Sequence, residues 1–194
     1  MFKKNLFVLS LIVLINLLCT ISQAQAYQKI EGAFGYKLGE VFDPYPSGDK
    51  SNPFAWNFSI LAIGTLSDGT VVYKIFSEKP YRSFTKYFIQ VTPKTNKIYT
   101  IRADGPVKNT AVGKKEQAVL MAILQKKYGS STKKDFIDSL YNRETINQGN
   151  RYLLSKVSGI DIEISLHYYD KELQKLAEKE RIELEVENID DSGL

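Results

Sequence analysis

The amino-acid sequence predicts an α+β fold: mainly antiparallel sheet built from hairpins, packed by a helix at about 114–128 and a C-terminal helix at about 170–186. Three observations carry the prediction. The stretch Val71–Ala103 alternates β-branched and aromatic residues with polar ones in three successive runs. Ile160, Ile162, Ile164, Leu166 and Tyr168 fall on one face of a single run, the cleanest alternation in the chain. Two further stretches change to a helical period, one stopped by Gly129 and the other opened by Asp170.

The chain begins with an address. Lys3 and Lys4 form a basic segment, and Leu6–Leu18 is an apolar run broken by Ser10 and Asn16. Ala24-Gln25-Ala26 supplies the small-x-small pattern of signal peptidase cleavage before Tyr27. The sequence therefore predicts a cleaved signal peptide over 1–26 and one domain over 27–194, with no membrane-spanning segment after processing. Cys19 is the only cysteine. Lipoprotein processing at Cys19 fits less well, because Leu18 stands where that pathway takes a small residue. The mature chain is left without cysteine, which excludes disulfides, thiol nucleophiles and thiolate metal sites and suits a periplasmic domain held by its core.

From residue 27 the elements follow in order. Gly32-Ala33-Phe34-Gly35-Tyr36-Lys37-Leu38-Gly39 reads as a short strand whose glycines admit close backbone packing. A phosphate cradle would need a strand–loop–helix context and a following Gly-Lys-Ser/Thr, and neither is present. Asp43–Pro53 holds three of the six prolines and reads as a loop. Phe54–Gly64, with Trp56 near its start, is a strand, and Ser67-Asp68-Gly69 turns into the next. Asn57-Phe58-Ser59 matches a glycosylation sequon by chance in a chain of bacterial composition.

Within the central block, Val71–Phe76 is one strand, and Glu78-Lys79-Pro80-Tyr81-Arg82 connects it to the next. Thr85–Val91 sets Tyr87, Ile89 and Val91 on one face against Phe88 and Gln90. Lys97–Ala103 sets Tyr99, Ile101 and Ala103 against Ile98, Thr100 and Arg102. The turn between them has Pro93 at its second position and Asn96 in the left-handed conformation that ends it. Large residues on both faces imply a helix over at least one, and the aromatic residues read first as ordinary sheet core.

Asp104–Gly113 reads as irregular. In the helix of Lys114–Tyr128, Val119 and Ile123, and Leu120, Leu124 and Tyr128, repeat at four-residue spacing. Ser130–Asn150 is polar, with Phe136, Ile137, Leu140 and Tyr141 marking a short helix or strand. Arg151–Val157 and Ile160–Tyr169 form a hairpin around Ser158-Gly159. Asp170 caps a helix docked by Leu173, Leu176 and Ala177, and beyond Glu180 the sequence predicts a frayed acidic tail. Strands followed by a helix occur twice, a loose internal echo.

The charge is uneven. Residues 27–169 carry 20 Lys and Arg against 13 Asp and Glu, and residues 170–194 carry 4 against 9. The cations are scattered, so no nucleic-acid partner is implied. His167, the single histidine, shares a strand face with Asp161, Glu163, Ser165 and Tyr169. Glu163 lies about 13 Å away along a strand, too far for shared coordination, so His167 reads as a histidine on a solvent-type polar face. No catalytic residue, metal ligand or cofactor-binding residue stands out. Asp43, Asp49, Asp68 and Glu78 lie in or near loops without forming a recognisable pair. For partner binding the candidates are Tyr81 and Arg82, residue types favoured as interface anchors, on an exposed connection.

A wider pattern joins these segments. It comprises Phe34-Gly35-x-x-Leu38-Gly39, then Tyr87-x-Ile89-x-Val91-Thr92-Pro93-Lys94-Thr95 with Ile98-Tyr99-x-Ile101. Lys127-Tyr128-Gly129 follows, then Leu166-x-Tyr168-x-Asp170-x-x-Leu173 running into a Glu-rich helix. In this the chain resembles a group of small exported bacterial proteins of uncharacterised function, which often hold cysteines that the mature chain here lacks. The resemblance spans most of the mature chain and implies an α+β fold and an envelope address, and it hands over no catalytic residue. The expectation that results is a periplasmic or secreted domain that binds a partner, another envelope protein among the candidates, without catalysis. The alternatives are a carboxylate-dependent envelope hydrolase and a binder of small ligands or glycans.

Overall fold

A computed structural model describes residues 27–45, 59–66, 69–132, 142–158 and 162–187. Outside these residues lie the signal segment with Ala24 and Ala26, most of the proline-rich loop with Asp49 and Trp56, the sequon's Asn57 and Phe58, Ser67 and Asp68, the Phe136–Tyr141 segment, Gly159–Asp161, and the last seven residues.

The fold is α+β, and every strand pair is antiparallel. A two-stranded hairpin, β1 (Gly32–Ala33) and β2 (Tyr36–Lys37), precedes a seven-stranded sheet. The sheet strands are β3 (Ile60–Thr65), β4 (Val71–Ile75), β5 (Lys86–Val91), β6 (Ile98–Pro106), β7 (Arg143–Gln148), β8 (Arg151–Val157) and β9 (Glu163–Asp170). Helix α1 (Thr110–Tyr128) follows β6, and helix α2 (Lys171–Glu187) follows β9. The spatial order is β3-β4-β5-β6-β9-β8-β7. Two meanders thus meet at a central β6–β9 seam, and each seam strand runs into a helix. That arrangement is the structural form of the echo in the sequence.

The expected central strands are present. Tyr87, Ile89 and Val91 are buried against a half-exposed Phe88 and Gln90, and Asn96 closes the β5–β6 turn at φ 52°. The β6 alternation differs at its start. Gln90 faces Thr100 while Val91 faces Ile98, so Tyr99 is an extra residue in a β-bulge. The bulge lets Ile98 and Ile101 both enter the core, where simple alternation would separate them. Strand β6 also continues through Asp104 and Gly105, and α1 starts at Thr110, so much of the expected irregular stretch is ordered. Asn109 caps α1 by accepting from the Val112 N–H at 2.9 Å.

One face of the sheet carries the core, and two elements cover it. Helix α1 packs chiefly on β8 through Gly113, Gln117, Leu120, Met121, Leu124 and Tyr128. Val119 and Ile123, read as a second apolar row, are half exposed. Gly113 is required there, because a β-carbon would lie 2.7 Å from Val157 Cγ1. Over β4 and β5 the cover is the N-terminal segment, not a helix. Its hairpin turns at Phe34 and Gly35, φ 59° and 100°, the two positive values of a tight hairpin turn. The turn drives Phe34 edge-on into Phe84, Tyr87 and Tyr168, with ring centroids 5.8, 5.0 and 6.3 Å away. Arg151 fastens the segment to the sheet by donating to the Ile30 and Leu38 carbonyls while pairing with Asp170 at 2.9 Å.

The β7–β8 hairpin was not expected. Its two-residue Gly149-Asn150 turn, with Gly149 at φ 67°, is a signal the polar surroundings obscured. The β8–β9 hairpin is as expected, but β9 begins at Glu163. Ile162 precedes it at φ 50°, off the expected apolar row.

Helix α2 departs from expectation in its anchors. Asp170 caps it, accepting from the Glu172 and Leu173 N–H groups at 3.2 Å. Leu173 and Leu176 are only half-buried, whereas Ala177 and Glu180 are buried. Glu180 accepts from the Lys94 N–H at 2.7 Å, the Thr95 N–H at 3.2 Å and Thr95 Oγ1 at 2.8 Å. Lys94 Nζ meets Glu187 at 2.7 Å and Glu183 at 3.2 Å. Glu183, Glu185 and Glu187 are therefore helical, not frayed, and two of them clamp the β5–β6 turn.

Glu180→Ala leaves three donors of that turn without their acceptor, a loss of about 2–4 kcal/mol by the usual cost of bonds to a charged group. Lys94→Ala removes only exposed ion pairs and costs much less than the loss of Glu180. Urea denaturation of both variants checks the order. Equal losses would show that charge, not the capped turn, holds α2.

Candidate ligand-binding site

The second face of the sheet is covered by neither helix, and its side chains follow from register and alternation. One row across the strands is Lys74, Phe88, Arg102, His167 and Leu154. A parallel row is Val72, Gln90, Thr100, Tyr169 and Tyr152, and another is Lys86, Asp104, Ser165, Lys156 and Arg143. Toward the β3 edge Ile63 and Leu66 complete the wall of a cleft of about 430 Å³, floored by Phe88, Thr100, Arg102, His167 and Tyr169. That volume is within the usual range for small-molecule sites.

The seam supplies the polar floor. Arg102 and His167 are direct cross-strand neighbours, as are Thr100 and Tyr169. Asp104, 2% exposed, accepts from Arg102 Nε at 2.8 Å and from a terminal guanidinium nitrogen at 2.7 Å. The same guanidinium lies 5.5 Å from the Phe88 ring centre, a cation–π contact. Tyr152, Tyr169 and His167 stack in near-parallel planes, 4.7 and 5.6 Å between successive centres. Tyr169 Oη and His167 Nδ1 are 2.8 Å apart. Burial pushes the Tyr169 hydroxyl up to about 12, with Tyr152 adding to the shift, so it keeps its proton. In the tautomer where Tyr169 donates to Nδ1, the imidazole proton is on Nε2.

His167 is not on a solvent-type face. It is 7% exposed, because Leu154, Arg102 and Tyr169 close around it. Burial first, then the charges of Arg102, Lys156 and Arg143, lower its pKa to about 3. Its Nε2 is buried without a hydrogen-bond partner among the described residues, and so is Thr100 Oγ1 one row away. Sequence reasoning missed both. The available signal was that Thr100, Arg102, His167 and Tyr169 share alternating faces, but which strands adjoin is a tertiary fact.

The residues expected to bind a partner are elsewhere. Tyr81 packs its ring 5.7 Å from Phe84 at the rim of the core, and Arg82 is exposed, 3.9 Å from Glu116 on α1. Neither lines the cleft. Tyr27 is exposed at the start of the described chain, and its ring packs near Gly129. Asp43 and Glu78 lie outside the cleft. No described helix is long and apolar enough to cross a membrane. Among the described residues no three His, Cys, Asp or Glu side chains stand together as a metal site. No family model, curated protein or solved structure matches the chain.

A pH dependence follows from His167. An unfolded histidine titrates near 6.5, so between about pH 6.5 and 3 the unfolded chain binds a proton that the folded chain refuses. Stability from this group is complete above pH 6.5 and is lost as pH falls toward 3. The stability difference between wild type and His167→Gln should shift against wild type by at most about 3 kcal/mol from pH 7 to pH 4, carboxylate contributions cancelling. Urea denaturation at both pH values reads it. A difference that does not change with pH would show a solvated imidazole.

Proposed function

We propose that the protein is a non-catalytic binding domain of the bacterial cell envelope, and that the cleft on the open sheet face is its ligand site. The observation that carries the reading is the pair of buried polar atoms, His167 Nε2 and Thr100 Oγ1, without partners among the described residues, in two side chains that floor one cleft. An unsatisfied buried polar group costs roughly 1–3 kcal/mol. Two of them in adjoining rows of the cleft floor are what a ligand's polar head would satisfy.

The surroundings favour recognition over catalysis. Asp104 is held at both oxygens by Arg102, and Glu163 is paired with Lys86 at 2.8 Å. That leaves neither carboxylate free for the hydrolase alternative, which needs a general acid and a second carboxylate across the scissile bond. An imidazole whose pKa is near 3 is a weak general base at neutral pH. The size of the cleft favours a small ligand over a protein surface. The envelope address is supported by the basic segment, apolar run and Ala24-Gln25-Ala26 before Tyr27.

Fractionated envelope extract should contain a component that raises the melting temperature of the purified protein by several degrees and leaves Phe88→Glu unmoved. The component is recovered unchanged in mass. Conversion of an envelope glycan or peptide by the purified protein would overturn the proposal in favour of the hydrolase.

A further inference from the structure

Resting on the reading of the cleft as a ligand site, we infer that its ligand is an amphipathic anion. One acidic head sits at the β6–β9 seam against Arg102, His167 and Thr100, and a compact apolar body lies along Phe88, Val72 and Leu66.

Charge is the first argument. The described open face carries Lys74, Lys86, Arg102, Arg143 and Lys156 against Asp104 and Glu163, and both carboxylates are taken by cations of that face. Lys74 flanks Phe88 on the side opposite Arg102. The hydrogen-bond inventory is the second. With Tyr169 donating to Nδ1, His167 presents Nε2–H, and Arg102 keeps N–H groups beyond the two that Asp104 holds. Thr100 Oγ1 adds a hydroxyl donor. Donors converge at the seam, and the charged ones, Arg102 and Lys74, are cations, whereas the acceptors in the lining, Gln90 and the hydroxyls of Thr65, Thr100 and Tyr169, are neutral. A neutral polyol draws no charge-assisted bond from these cations, whereas a carboxylate, sulfonate or phosphate head does. Apart from Thr65 and Lys74, the rest of the wall is apolar.

The fluorescent acid 8-anilinonaphthalene-1-sulfonate tests this on the purified protein. It should titrate to one saturable site and be displaced at least about tenfold better by 2-naphthoate or decanoate than by 2-naphthylmethanol or decanol. Which acid competes better separates an aromatic body from an acyl one. Lys74→Glu and Thr100→Val should each weaken the probe several-fold, while Lys115→Glu on α1 leaves it unchanged. Near-UV circular dichroism of each variant separates lost binding from lost folding, and Thr100→Val is isosteric. Alcohols competing as well as acids would overturn the anion while leaving a ligand site. No saturable probe binding to wild type would overturn the proposal, as would unchanged affinity in both folded cleft variants.

Discussion

The antiparallel pairing of β6 with β9 is the constraint on which the rest depends. It joins Thr100 to Tyr169, Arg102 to His167 and Asp104 to Ser165 across more than sixty residues of chain. Non-local pairing of this kind costs loop-closure entropy before any contact rewards it. The reward is the centre of the core, where Ile101, Ala103, Ile164, Leu166 and Tyr168 are buried on one face of the seam. A slip of one residue would send those side chains outward and the arginine and histidine inward. The apolar side of the seam thus fixes the register, and the register assembles the cleft.

The asymmetry of cover explains why a cleft is left open. Helix α1 lies over β7–β9, and the N-terminal hairpin over β4 and β5, so both halves of the core face are closed. Phe34 links the two covers through Tyr87 and Tyr168. Neither element reaches the other face. There polar groups near the seam satisfy one another where they can, as in Arg102–Asp104 and Tyr169–His167, and among the described seam residues Thr100 Oγ1 and His167 Nε2 are left over.

Much of the fold was legible in the sequence because its signals are local. Pro93 and Asn96 specify their turn, Gly129 stops α1, and Asp170 caps α2. What escaped depends on partners distant in sequence. The bulge at Tyr99 shows only against Val91. Glu180 looks like part of an acidic tail until it meets the Lys94-Thr95 turn, and Leu173 and Leu176 look like anchors until Ala177 is found beneath them. His167 looked isolated because its neighbours in its own strand are too far to act with it. Its effective neighbours, Arg102 and Leu154, come from the adjoining strands.

Because the chain has one histidine, a single imidazole reports on the seam. A long-range proton–nitrogen spectrum of its ring at pH 6, without and with the naphthalene sulfonate, tests the account most directly. The account predicts a neutral ring, proton on Nε2 and Nδ1 accepting, with the Nε2 resonance moving as the anion binds. A ring half-protonated near pH 6.5 and indifferent to the anion would contradict it.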